Sequence, residues 1–321
     1  MLKQVPSEDD SLKNQTTLTD VTDEVFYSSV KPTEFSVKDR LIQVLLMIVG
    51  FGWLRALIFF VIVVIYLLAI VPCHAFCQIP WLNAFFLPYS LYVSKHYCRL
   101  VMYVYGIWWI RIEGTPDFDA RALIYNHVSL LDGPMVYIFR PFTIVAKLDI
   151  KKVPYFGQIG ISDGAAFIDR SKSEGNSQLL KEVMLNHEKM PICIAPEAKI
   201  SNGKVLFKFR TGAFHTTEPI QPVTIRYNEL FSWGGTTRNW LMDSFFEWCW
   251  IAFASPFCYV TMTFLPTIKP SELENKTPAE RAEMCQLRMA NHLGVLAINR
   301  TTHDLFRKPD STPLNVENKT V

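Results

Sequence analysis

Residues 41–71 are almost wholly apolar, interrupted by Gln43 and Arg55, and no other feature restricts the fold as much. As one helix the run would extend roughly 46 Å at about 1.5 Å per residue, against a hydrocarbon layer of about 30 Å. A single straight span does not fit. Residues 56–71 with a few flanking positions can cross a bilayer while Arg55 snorkels to the interface. Alternatively, Gly50 and Gly52 can hinge two helices into a hairpin that dips in and returns. Either arrangement attaches the chain to a membrane. The mean hydropathy of +0.15 and an aromatic content of 13% agree, because both exceed what a soluble core of this length requires. Lys38 and Arg40 before the run and Lys95, Arg99 and Arg111 after it do not fix its orientation.

The rest of the chain divides around this anchor. Residues 1–37 are rich in Ser, Thr, Asp and Lys with few large apolar groups, a composition expected of a flexible tail. The anchor occupies residues 38–110, including an aromatic connector over 81–109. Short β-like runs alternate with helical stretches over residues 111–306, and a polar tail covers 307–321. Strands are expected at 122–125, 142–146, 165–168, 192–195, 223–227 and 259–264, with a helix at 177–189. A further helix, opened by the capping-box spacing of Thr277 and Glu280 with Pro278 at its first position, is expected to run to His292. The pattern predicts an α/β domain, a mixed sheet flanked by helices, carrying an N-terminal membrane helix or helical hairpin, with active residues on loops at one sheet edge. Residues 240–257, aromatic and apolar, suit core packing or a helix lying in the membrane interface.

Charge and cysteine usage exclude some functions. The net charge is only +2, with eight Asp/Glu against five Lys/Arg in residues 1–40, and no long Lys/Arg run or zinc spacing occurs, so no nucleic-acid partner is expected. Seven cysteines without paired spacing predict reduced thiols and a cytosolic catalytic part. A cytosolic face would leave the sequons at Asn14, Asn275, Asn299 and Asn318 unmodified.

The strongest chemical signal is Asn126-His127-Val128-Ser129-Leu130-Leu131-Asp132, directly after an expected strand. On one helix, residues five positions apart project about 140° from each other, so His127 and Asp132 meet only if the chain turns between them. A strand-to-helix loop supplies that turn. Asp132 accepting the Nδ1 proton would fix the tautomer and leave Nε2 as a base able to deprotonate an alcohol. The plainer reading has Asp132 capping a helix entered through Gly133 and Pro134. Gly160-Ile161-Ser162-Asp163-Gly164 has the nucleophile-elbow spacing of serine hydrolases, but the strand follows Ser162 instead of preceding it, which disfavours that role. His187-Glu188 lacks a second His at zincin spacing.

The motif and those after it resemble the glycerolipid acyltransferase family, which includes lysophosphatidate and lysophosphatidylcholine acyltransferases. The likeness runs from His127 and Asp132 through Lys147, Pro154 and Gly157, then Ala166-Phe167-Ile168-Asp169-Arg170 and Ala195-Pro196-Glu197. It closes with Lys208-Phe209-Arg210-Thr211-Gly212-Ala213-Phe214 and Ile220-Gln221-Pro222-Val223. The resemblance implies acyl transfer from acyl-CoA, as co-substrate and without a cofactor or metal, to the hydroxyl of a lysophospholipid. His127 would be the general base oriented by Asp132, Arg170 would hold the acceptor phosphate, and Glu197 would help position the acceptor. Lys147, Lys208 and Arg210 would attract the phosphates of coenzyme A, beside Gly212. It also implies an endoplasmic reticulum membrane with a cytosolic active site, or a lipid droplet. One departure stands out: where the family reads Pro-Glu-Gly-Thr, this chain has Pro196-Glu197-Ala198-Lys199. Ala198 adds a Cβ where positive φ or close ligand approach favours glycine, and Lys199 exchanges a hydroxyl for a cation that could contact phosphate. The substitution keeps open a weakened or inactive member acting as a membrane or lipid-droplet adaptor.

Overall fold

The computed structural model describes residues 12, 14–77, 79–152, 165–168, 173–187, 190–242 and 244–306. Ser36 opens the apolar N-terminal part with a reciprocal cap. Its hydroxyl accepts from Asp39 N–H at 3.2 Å while its own N–H donates to the Asp39 carboxylate at 2.9 Å, starting helix α2 (Val37–Val49). The helix breaks at Gly50 and at Phe51, whose φ is 54°, before α3 (Gly52–Cys77). After residue 79, Pro80 starts α4 (Pro80–Val104). The break at Gly50–Gly52 falls where the glycines suggested, but the hairpin is formed elsewhere. α3 and α4 run antiparallel, Tyr66 stacking on Tyr97 at 3.9 Å and Phe76 on Phe86 at 4.8 Å. The segment expected as a connector is therefore the returning helix, continued by strand β1 (Ile107–Glu113). Arg55 does not snorkel. Its guanidinium donates to the carbonyls of Phe253 and, at 3.1 Å, Ser255, at the C-terminal end of α7 (Phe245–Ala254), where a cation complements the helix dipole. Of the described helices, α3 is long and apolar enough to cross a membrane.

The expected tail is also corrected. Thr19 bridges to Ile298, Thr22 caps helix α1 (Asp23–Ser28), and Phe26 is fully buried with its ring 5.6 Å from Phe207. Arg300 pairs with Asp23 and lies 3.9 Å over the Phe26 ring. Residues 15–36 thus pack against the α/β domain. The last fifteen residues lie outside the described ones.

Among the described residues seven strands form one sheet in the order β1-β8-β7-β2-β5-β3-β4. Their bounds are β2 Ala122–Tyr125, β3 Thr143–Lys147, β4 Ala166–Ile168, β5 Ile192–Ile194, β7 Ile220–Glu229 and β8 Cys258–Phe264. A separate parallel pair joins β6 (Val205–Leu206) to β9 (Leu296–Ala297). The β7–β8 ladder is antiparallel and every other pairing in the large sheet is parallel, giving the expected mixed α/β architecture. Alternation along the strands gives the sheet two faces. Leu123, Val223, Ile225, Val260 and Met262 pack with α4, α5 (Asp132–Phe139) and α7, while Ala122, Ile124, Ile192 and Ile220 pack under α6 (Ser173–Leu185), the short α8 (Pro270–Leu273) and α9 (Pro278–Leu293). The Thr277 cap forms with Glu280 as expected, and Gly294 closes α9 at φ 65°.

This topology gathers the ends that matter. β2, β3, β4, β5 and β7 all finish at one edge. Because Glu229 pairs with Cys258, which also pairs with Ile107, strands β8 and β1 begin there. The first turn of α3, tied to residues 253–255, reaches that edge as well.

Candidate active site

β2 ends at Tyr125, and the next residue explains why the chain leaves the sheet in a fixed direction. The Asn126 side chain donates to Ile225 O at 2.9 Å and accepts from Ile225 N–H at 2.7 Å, a side-chain continuation of the β2–β7 ladder. The chain then turns through Val128 and Ser129 into α5, which begins at Asp132 with Leu131 as its cap residue. The turn brings the two ends of the motif together: His127 Nδ1 donates to Asp132 Oδ2 at 3.0 Å.

The carboxylate is heavily organised. Its Oδ2 also accepts from the backbone N–H groups of Val128 at 2.9 Å and Ser129 at 2.8 Å, and Oδ1 accepts from the Tyr227 hydroxyl at 2.8 Å. Asp132 has no exposure, whereas the His127 side chain keeps 23%. A fully ligated carboxylate holds the ring by one nitrogen and leaves the other to face an open space. That space is a cavity of about 500 Å³ over the finishing edges of β2, β5, β3 and β4, whose lining includes the apolar Val145, Ile168, Leu180, Ile194 and Phe209 as well as His127, Lys208, Arg210 and Gly212.

The remaining expected residues are not equivalent. The Glu197 carboxylate is buried and turned toward backbone: Oε1 accepts His127 N–H at 2.8 Å and Oε2 accepts Phe207 N–H at 3.1 Å. Burial pushes its pKa up to about 8 against the pull of those two donors. Glu197 therefore braces the histidine loop and is absent from the cavity lining. Ala198 does line the cavity and stands at φ 61°, the left-handed conformation that its Cβ disfavours. Lys199 is exposed and lies outside the lining. Gly212 lines the cavity close to α6, where a Cβ would come within 3.1 Å of Leu180 Cδ1. Lys208 Nζ donates to Asn299 Oδ1 at 2.9 Å and Arg210 to Thr302 Oγ1 at 3.3 Å, and both side chains line the cavity. Arg170, Pro154, Gly157 and Ser162 fall outside the described residues, as does the side chain of Lys147, whose backbone ends β3.

Sequence reasoning missed Tyr227 and Phe207, which complete the bracing of Asp132 and Glu197. Tyr227 falls in an expected strand, but only the β2–β7 register brings it to Asp132, and no local pattern signals that pairing.

Residues 111–226 match the family model described as Acyltransferase. Lysophosphatidylcholine acyltransferase 1 of Danio rerio is 30% identical over 236 residues, 70% of this chain and 44% of its own length. Lysophospholipid acyltransferase LPEAT2 of Arabidopsis thaliana is 27% identical over 71% of the chain and 42% of its own. A Caenorhabditis elegans protein, the lipid droplet-regulating VLDL assembly factor AUP1 homolog, is 30% identical over 58% and 46%. This chain spans less than half the length of each relative. In fold it is similar to the 1-acyl-sn-glycerophosphate (LPA) acyltransferase PlsC from Thermotoga maritima, with a TM-score of 0.55, 15% identity, and coverage of 75% of this chain and 94% of that one.

Proposed function

Since this chain belongs to the acyltransferase family through its residues 111–226, we propose that it is a membrane-bound enzyme transferring a fatty acyl group from acyl-CoA to the free hydroxyl of a lysophospholipid. The observation that carries this reading is the His127–Asp132 contact at 3.0 Å, made by a half-open imidazole and a fully buried carboxylate beside a mostly apolar cavity.

The chemistry follows from the geometry. Asp132 retains the Nδ1 proton, so Nε2 accepts the proton of the acceptor hydroxyl as that oxygen attacks the thioester carbonyl. The imidazolium formed is stabilised by Asp132. The tetrahedral intermediate collapses with loss of CoA thiolate, and the proton held by His127 is available to it. No acyl-enzyme is needed in this sequence. The apolar flank of the cavity suits an acyl chain, and Lys208 and Arg210 suit phosphates of the donor or acceptor. Arg170 is proposed for the acceptor phosphate on the motif alone. With α3 in a bilayer, the same sheet edge faces the layer that holds both amphiphilic substrates. We assign the protein to an endoplasmic reticulum membrane with the active site on the cytosolic side.

The full chain in vesicles, supplied with radiolabelled acyl-CoA and a panel of lysolipids, should acylate at least one of them. Ser162→Ala should retain most of that activity. No turnover on any lysolipid would instead favour a non-catalytic adaptor, the reading to which the strained Ala198 and the likeness to the lipid-droplet factor lend support.

A further inference from the structure

Part of the exposed apolar surface of this chain is organised into one layer. α2 points Leu41, Leu45 and Ile48 outward and Gln43, Leu46 and Met47 inward, and Gln43 Nε2 donates to Gly234 O at 2.8 Å. Arg40 pairs with Glu247 of α7. At the far end of α2 a Cβ on Gly50 would touch Pro256 Cβ at 3.8 Å, and Arg55 binds the carbonyls that follow α7. α2, the first turn of α3, residues 230–235, α7 and residues 256–257 are thereby stitched together. Their outward side carries Phe51, Phe231, Trp233, Phe246 and Phe257, with Phe246 82% and Trp233 59% exposed. The Phe231 ring lies 5.1 Å from Trp233 and 6.3 Å from Phe257, so these three rings form one continuous cluster.

A contiguous aromatic patch of this kind marks an interaction surface, and two features identify its occupant. First, α3, apolar enough to enter a bilayer, leaves directly from this layer. Second, Trp and Phe gather at the boundary between lipid headgroups and acyl chains, and the acidic side chain of α7, Glu247, is neutralised by Arg40. The layer is also tied to the histidine loop: Trp240 N–H donates to Val128 O at 2.9 Å, while Ser129 Oγ and Trp248 Nε1 both donate to Arg238 O, at 2.6 and 3.1 Å.

Resting on the membrane attachment proposed above, we propose that this layer seats in the headgroup–acyl boundary of a lipid bilayer as a second contact beside α3, fixing the height and tilt at which the His127 edge meets the membrane. α3 alone would tether the domain and leave it free to swing. The seated layer holds the edge flat against the lipid, so that an acceptor hydroxyl near the headgroup reaches Nε2 without leaving the bilayer.

Photolabelling tests this without mutation. The full chain is reconstituted into phosphatidylcholine vesicles containing a lipid with a carbene-generating group on its acyl chain, irradiated, and mapped by peptide mass spectrometry. Phe118, 69% exposed on the loop at the opposite sheet edge, is the internal reference. The proposal expects peptides bearing Phe231, Trp233 and Phe246 to be labelled several-fold above the Phe118 peptide, together with α3. Labelled α3 with those peptides at the Phe118 level, as when a second copy covers them, would overturn the seating while leaving attachment intact. Unlabelled α3 would overturn the attachment itself.

Discussion

At the level of single residues, Ala198 and Glu197 show what the sequence signalled and what it hid. An alanine in place of the family glycine pointed to a position needing positive φ, and the backbone there stands at 61°. A left-handed conformation costs a residue with a Cβ about 1–2 kcal/mol, part of which glycine returns through its greater freedom in the unfolded chain. Ala198→Gly should therefore stabilise the protein by roughly 0.5–1 kcal/mol, read as a higher denaturation midpoint, and no gain or a loss would contradict the strain. The motif picked out Glu197, but not its bracing role, because its partners, the N–H groups of His127 and Phe207, belong to segments seventy and ten positions away. Its pKa, raised from 4.5 to about 8 by burial, sets a sign for pH dependence. The folded state holds this proton more tightly than the unfolded one, so the stability it contributes is present below about pH 4.5 and is lost as pH climbs toward 8. The thermal midpoint of the wild type should accordingly fall relative to Glu197→Gln between pH 5 and pH 8. Parallel curves for the two proteins would show that Glu197 is ionised throughout.

Among the secondary-structure elements, periodicity revealed the central strands and α9, whose caps and alternation are written locally. It failed for α4 and for residues 15–36, for different reasons. Ser90, Ser94, Lys95, His96 and Arg99 interrupt the apolar pattern of α4 and make it read as a connector. Yet Ser90 and Ser94 are buried, and Ser94 shares a hydrogen bond of 3.1 Å with Tyr66 of α3, so a polar position faces the helix pair. The N-terminal segment is held by buried Phe26, the Arg300–Asp23 pair and backbone bonds to residues more than 170 positions away, which composition cannot register. Phe26→Ala should cost about 3–5 kcal/mol, the range for emptying a buried aromatic site, and lower the unfolding midpoint accordingly. An unchanged midpoint would restore the flexible-tail reading.

For the molecule as a whole, one topological fact organises the account. The antiparallel β7–β8 ladder brings the starts of β1 and β8 to the edge where β2 and β5 finish, so the His127 loop and the base of the apolar helix share a side. The sequence supplied both parts, but their placement depends on strand order, which no local pattern states. The central claim is that His127, held by Asp132 at that edge, removes the proton from the acceptor hydroxyl. The most direct test is the rate of acyl transfer from radiolabelled acyl-CoA to lysophospholipid by wild-type and His127→Ala protein in the same vesicles. The account predicts that the substitution lowers the rate by at least about 10²–10⁴-fold with vesicle binding unchanged. Transfer at the wild-type rate by His127→Ala would contradict it.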